Sequence, residues 1–433
     1  MANTYLTRTF GSAGNRKKWT FSAWVKKAVN GVEQRLLTTS DNATFDDQIK
    51  FKGADKLEIV CNSGSGVLTT NRLFRDNSAW YHIVAIWDSG NSTSGDRCQL
   101  WVNGIRETSF ATETYPSINQ DGFINNNTPH YIGVTNVTAN SHHFNGIMSH
   151  IHFIDGTAYD ATAFGEYDAN GVWTIKTSPS VTYGNNGFFI LKDGNSVTDQ
   201  SGNSNDWTVG GGSVIATQDN PSNNFSRMNA LNTQDNGSVF SLGNSRIVTY
   251  SSFEAYNVST FAMSKGKYYM EAKAVEHDAA SGLGNFHIGI AERECRTEDQ
   301  VLGKSDYSWG YNSEDGTYFN SSNYTSFGNT YTTGDIIGLA LDLDNNTLAI
   351  YKNGVSQGTI TITDVEDNGT GSYYFALGEN GTANSVTWEA NCGNGYFGET
   401  AISSAGTNAS GNGIFEFDCP TGFTALSTKG LNL

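Results

Sequence analysis

The chain of 433 residues carries 43 acidic against 26 basic side chains, a formal charge of −17. That charge repels phosphate backbones and anionic membrane surfaces, and no basic cluster larger than Arg16, Lys17, Lys18 interrupts it, so neither nucleic acid nor membrane insertion is expected. Charged residues make up only 16% of the chain, while aromatic residues reach 12%, enough apolar surface to build sizeable cores and to exclude disorder.

At about 150 residues per domain the length implies two or three domains. Met1 is followed by neither a basic start nor an apolar stretch, and no run approaches the ~18 apolar residues of a membrane span, so a soluble cytosolic chain is expected. Cys61, Cys98, Cys295, Cys392 and Cys419 are odd in number and in no C-x-x-C spacing; they are expected to be reduced, buried thiols rather than disulfides or zinc ligands. The N-x-S/T triplets at Asn42, Asn136 and Asn257 reflect the Asn, Ser and Thr richness more than glycosylation.

Period-two segments bounded by Gly, Asn, Asp and Ser recur from end to end and predict an all-β chain. In the first half, Trp19, Phe21, Ala23 and Val25 fall on one face of a strand and form the core candidate, with Thr20, Ser22 and a partly covered Trp24 opposite. Trp80 to Trp87 and Cys98 to Val102 are strands joined by the polar loop from Asp88 to Arg97, and the second ends at Asn103-Gly104, a pair suited to a tight turn. The same grammar returns in the second half: Ile336 to Leu343, Asp344-Asn345-Asn346, then Thr347 to Lys352 and Asn353-Gly354. Between the halves, Gly210-Gly211-Gly212 and the polar run from Thr217 to Asn224 have little to bury. The expected organisation is two tandem antiparallel β-sandwiches, 1–215 and 226–433, with a linker at 216–225.

Two resemblances sharpen this. Trp80 to Trp87 with Leu100 to Gly104, and the later Phe144-Asn145-Gly146-Ile147 to Phe153, resemble the laminin-G/concanavalin A-like lectin sandwich, a jelly roll. Gly266-Lys267-Tyr268-Tyr269-Met270-Glu271, then His287 to Ala291, Ser308-Trp309-Gly310-Tyr311 and the Asp342 to Gly354 hairpin resemble the SPRY sandwich, the more specific match. Tyr5 to Phe10, Phe153 to Ala158 and Asp199 to Trp207 complete a likeness to tailed-bacteriophage virion proteins that join the two domains. The Gly/Ala/Ser-rich stretch from Asn394 to Gly413 departs from that group, although Pro420-Thr421-Gly422-Phe423 is present. The resemblance implies a virion-surface structural protein, a capsid decoration or tail or head fibre component, with other virion proteins as partners, host surface glycans as ligands and a homo-oligomeric body.

Catalytic chemistry is not expected. Concanavalin-like glycanases use opposed carboxylates from an E-x-D-x-x-E strand, which is missing; Glu292 and Glu294 flank Arg293 and read as a solvated salt-bridge cluster. His142, His143, His150 and His152 are the histidine concentration, with His150 and His152 expected on the solvent side of a strand rather than on a metal. Calcium, held by loop carboxylates in laminin-G relatives, has Asp88, Asp96, Asp155 and Asp193 as candidates, but no compact loop supplies six to eight oxygens and turn capping is the commoner role. Glycan or partner binding suits aromatic rings in Asn-rich loops: Tyr307, Trp309, Tyr311, Tyr318 and Tyr324 in one stretch, Tyr115, His130 and Tyr131 in another. A polysaccharide depolymerase and a SPRY-type peptide-binding adaptor are the alternatives.

Overall fold

The computed structural model describes the chain except residues 1–3, 41–45, 137, 193–195, 232–236, 251–255, 278–284, 293–300, 381–384 and 433. The described residues are strands, turns and four single-turn 3-10 helices, and they divide into two compact units, Met1–Ala216 and Thr217–Leu433. Each is a β-sandwich.

The first unit packs an eight-stranded sheet on a six-stranded one. The order in the first is Phe110–Thr114, Gly66–Leu73, Lys56–Cys61, Asp46–Phe51, Gln34–Ser40, Pro129–Ile132, Leu6–Thr9, Thr208–Val209. The second runs Phe188–Ile190, Gly146–Asp155, Lys18–Lys27, Tyr81–Asp88, Cys98–Val102, Ile105–Arg106. Trp19, Phe21, Ala23 and Val25 point between the sheets, as the alternation predicts. The opposite face is not solvated: Trp24 is buried and Val84, Ile86 and Ile154 pack beneath Ala161, Phe164 and Trp173 of the segment 157–183. Asn103 and Gly104 both take positive φ, 48° and 80°, so the Asn-Gly turn forms where expected.

In the second unit, a sheet ordered Val239–Ser241, Arg246–Tyr250, Ser385–Asn391, Lys267–His277, Ile336–Asp342, Thr347–Lys352, Val355–Thr361 faces a sheet ordered Tyr256–Val258, Tyr374–Asn380, Asn285–Ala291, Ser308–Asn312, Thr317–Asn320, Asn323–Ser326. Trp388 fills the space between them and donates its indole N–H to the Gly378 carbonyl at 3.0 Å. Residues 217–225, expected as a linker, are built into this unit. Asp219 pairs with Arg227 at 3.0 Å in a buried ion pair, and Phe225 is buried beside Phe415 and Ala425. The chain dips back to the body every few residues there, which polar composition alone does not reveal.

The C-terminal segment covers the outer face of the strand Lys267–His277, pairing Thr424 and Ala425 in parallel with Tyr268 and Tyr269. Glu271 holds it. Its fully buried carboxylate accepts the N–H of Glu416 at 2.8 Å, the N–H of Phe417 at 2.9 Å and the Tyr269 hydroxyl at 3.2 Å. Burial pushes this carboxyl up to about 7 from 4.5, against the opposing pull of those donors. Cys61, Cys98, Cys392 and Cys419 are buried and form no disulfide; Cys295 lies outside the described residues.

A raised carboxyl pKa in the folded state favours the protonated form, so its contribution is complete below pH 4.5 and fades as pH rises through about 7. His287, lowered to about 4 by burial, works in the opposite sense but is common to both proteins in a comparison with Glu271→Gln. The stability of the native chain minus that of Glu271→Gln should therefore grow between pH 8 and pH 5, on the order of 1–3 kcal/mol. Denaturant unfolding followed at several pH values checks this, and a difference flat with pH would remove Glu271 as the titrating clasp.

Candidate functional site

The structure separates the predicted rings into core and surface. Trp309 and Tyr311, two apart on Ser308–Asn312, both point into the second core; Tyr311 stacks on Tyr331 at 5.1 Å and donates its hydroxyl to the Asn329 carbonyl. His130 and Tyr131 are likewise buried. The His130 Nε2 accepts the Asn125 N–H at 3.0 Å, leaving Nδ1–H to donate to the Thr128 carbonyl at 2.8 Å, and burial lowers this imidazole to about 4. Tyr115 is half-buried against the first core, with its hydroxyl on Glu113 at 2.6 Å. Trp309, Tyr311, His130 and Tyr131 thus have no free face for a sugar or a peptide. Tyr307 and Tyr318 are half-buried, and Tyr324 is exposed at 50%.

Tyr324 sits on a hairpin made rigid by its neighbours. Asn320 and Asn323 pair across a two-residue turn whose Ser321 and Ser322 both take positive φ, 49° and 61°, the backbone that a tight right-twisted hairpin requires. The Asn320 amide donates to three carbonyls, of Ser305 at 3.3 Å, Asp306 at 3.2 Å and Ser308 at 2.8 Å, and so latches the loop bearing Tyr307 onto the hairpin tip. The Tyr324 ring stacks on Phe319 at 4.4 Å. Ser305 donates to Glu292 at 3.3 Å; Glu292 is buried rather than solvated, and Glu294 lies outside the described residues.

In the first unit a polar cleft of about 480 Å³ opens between three loops, lined by Asn15, Lys17, Lys18, Asp88, Asn91, Ser92 and Asn119. Lys18 pairs with Asp88 at 3.1 Å, and the other Asp88 oxygen is buried with no hydrogen-bond partner. The cleft gathers residues from three distant stretches, so spacing gives no hint of it beyond the Arg16-Lys17-Lys18 cluster.

The remaining candidates have structural employment. Asp155 accepts from the Asn15 N–H at 2.7 Å, the Asn125 amide at 2.6 Å and the Asn186 N–H at 3.1 Å, and Asp96 pairs with Arg106 at 2.7 Å; Asp193 is outside the described residues. Among the described residues no group of three or more His, Cys, Asp or Glu could hold a metal ion. His150 and His152 do not face solvent: both are buried, His152 against Phe164 and Tyr183 of the segment 157–183, His150 beside Phe189 with its backbone N–H on the Leu191 carbonyl, and the strand bulges between Ser149 and His152. His152 bonds Tyr183 at 2.9 Å and stacks on Phe189 at 3.9 Å.

Removing the Asn320 amide breaks the three-carbonyl latch. Asn320→Ala should cost about 1–3 kcal/mol and speed hydrogen exchange across residues 304–308 while leaving the amides of Trp388 and its strand unchanged. Exchange mass spectrometry reads both regions, and unchanged rates in 304–308 would mean that the loop is held by something else.

Residues 2–162 match the family described as the concanavalin A-like lectin/glucanases superfamily, and residues 267–386 match the SPRY domain. Over 106 residues, 24% of its length, the chain is 38% identical to Ran-binding protein 9 of Homo sapiens, and over 94 residues, 22% of its length, 36% identical to the Ran-binding proteins 9/10 homolog of Drosophila melanogaster. The matches span 14% and 9% of those proteins' own lengths. Among solved structures, the SPRY domain of human HERC1 aligns with a TM-score of 0.32 and 15% identity over 38% of this chain and 96% of that one, and stonustoxin with 0.29 and 19% over 38% and 27%. The chain carries a concanavalin A-like domain followed by a SPRY domain.

Proposed function

We propose that the protein is a non-enzymatic binding adaptor whose SPRY unit holds a protein partner on the surface around Tyr307 and Tyr324. The observation that supports this most is the Tyr324 hairpin: an exposed ring, ordered in advance by a stack on Phe319 and by the Asn320 latch, costs little entropy to bind with. The relatives that match this unit are named for binding Ran. Ran itself is not carried over; a protein-binding module is. Display on a virion surface, with capsid or tail proteins as partners, would use the same surface and rests on the sequence resemblance alone. A displayed library of protein fragments, selected on the immobilised full chain, should converge on a few sequence families that lose about ten-fold or more in affinity for Tyr324→Ala. A flat selection, or families indifferent to Tyr324, would sink the adaptor assignment.

A second activity is favoured by the polar cleft of the first unit. The side-chain NH2 groups of Asn15, Asn91 and Asn119 and the Ser92 hydroxyl donate to no protein group among the described residues, and these four residues line one cleft with Lys17. Such a set suits the hydroxyls of a glycan. An array of oligosaccharides should give binding that falls about ten-fold in Asn119→Ala. A silent array would leave the cleft without a sugar.

A further inference from the structure

The polar cleft of the first unit offers a ligand more donors than acceptors. Asn15 Oδ1 accepts the Lys17 backbone N–H at 3.0 Å, and Asn91 Oδ1 accepts the Thr93 backbone N–H at 2.9 Å. Only an oxygen can accept there, so both amides are fixed in orientation with their NH2 groups left over. Asp88 gives one carboxylate oxygen to Lys18 at 3.1 Å, and the other is buried out of a ligand's reach. Asn119 and the Ser92 hydroxyl, whose side chains bond to no group among the described residues, can serve either as donor or as acceptor.

The charge on the cleft has the same sense. Its lining sets Lys17 and Lys18 against Asp88, a net +1 in a chain of −17. The basic cluster that the sequence shows is divided three ways: Arg16 donates to the Gly122 carbonyl at 2.7 Å, Lys18 pairs with Asp88, and exposed Lys17 has no ion pair among the described residues. Nor does the surrounding unit oppose an anion strongly. Residues 1–216 hold 16 Lys and Arg against 19 Asp and Glu, a formal −3, whereas residues 217–433 hold 10 against 24, or −14.

A neutral sugar hydroxyl both donates and accepts, so in this cleft its proton finds few acceptors. A carboxylate accepts at about four sites and donates at none, and hydrogen bonds to it are roughly twice as strong as neutral ones. We propose that the cleft takes an acidic glycan, whose sugar carboxylate is held by Lys17 and the NH2 groups of Asn15 and Asn91 while its hydroxyls use Ser92 and Asn119. The inference rests on the cleft being a glycan site, and it names the class of sugar.

The test applies the full chain to an array of uronic acid oligosaccharides, each placed beside the same oligosaccharide with its carboxyls reduced to alcohols, and to a set of sulfated neutral ones. At least one uronate should bind, and its reduced counterpart should bind about ten-fold more weakly. Lys17→Gln keeps a donor but removes the charge; it should bring the acid down to the level of the reduced form and leave the reduced form unchanged. Equal binding of an acid and its reduced form overturns the proposal, as does a Lys17→Gln variant that binds the acid as the native chain does, or binding confined to the sulfated set. The comparison of acid with reduced form needs no variant, so it decides the matter even if Lys17→Gln fails to fold. If only neutral sugars bind, and Asn119→Ala weakens them, the glycan reading stands and the acidic one falls; if every arm is silent, both fall.

Discussion

Both sandwiches depend on a central strand that is dry on both faces. In Lys18–Lys27 every residue after the first is buried, with Trp19, Phe21, Ala23 and Val25 in the core and Thr20, Ser22 and Trp24 under the segment 157–183. In Lys267–His277, Tyr268, Met270 and Ala272 enter the core while Tyr269 and Glu271 lie beneath the C-terminal segment. A polar group on a doubly covered strand must find its partner inside, since water is absent and an orphaned group costs on the order of 1–3 kcal/mol. Ser22 meets the need through His82, whose Nε2 lies 2.9 Å from the Ser22 hydroxyl while its Nδ1 accepts the Trp173 indole N–H at 3.1 Å. That acceptor role requires a neutral ring, in line with burial lowering the imidazole to about 3. Glu271 meets it through two backbone donors.

Covering the outer faces has a functional consequence. The outer face of the six-stranded sheet in the first unit and that of the strand Lys267–His277 in the second are occupied by the chain itself, which takes those surfaces away from ligands. The polar cleft beside Asp88 lies at the end of the strand Tyr81–Asp88, and the Tyr324 hairpin terminates a sheet. A rigid double-covered frame under a short exposed hairpin also limits what ordering costs on binding.

The strands and turns were legible because they obey local rules. Alternation placed Trp19 to Val25 correctly, and Asn103-Gly104 and Asn353-Gly354 turn where positive φ demands those residues. The site was not legible to the same degree, because alternation assigns a face without saying what lies over it. Trp309 and Tyr311 share a face, and i, i+2 spacing fits a core as well as a ligand platform; here it is core. His150 and His152 fail for the converse reason, since Phe164, Tyr183 and Phe189 arrive from elsewhere in the chain, the first two over His152 and the last over both. Phe225 shows the same limit in a stretch that reads as a linker.

Two copies of the second unit, each carrying −14, repel one another at the few ångströms that direct contact requires, well inside a screening length of about 8 Å at physiological ionic strength. The same field attracts cationic groups and repels anionic ones before contact. One charge distribution thus disfavours close approach of two copies of the second unit. The first unit, at −3, exerts no comparable field, and its cleft pairs Lys18 with Asp88 while leaving Lys17 free of any ion pair among the described residues.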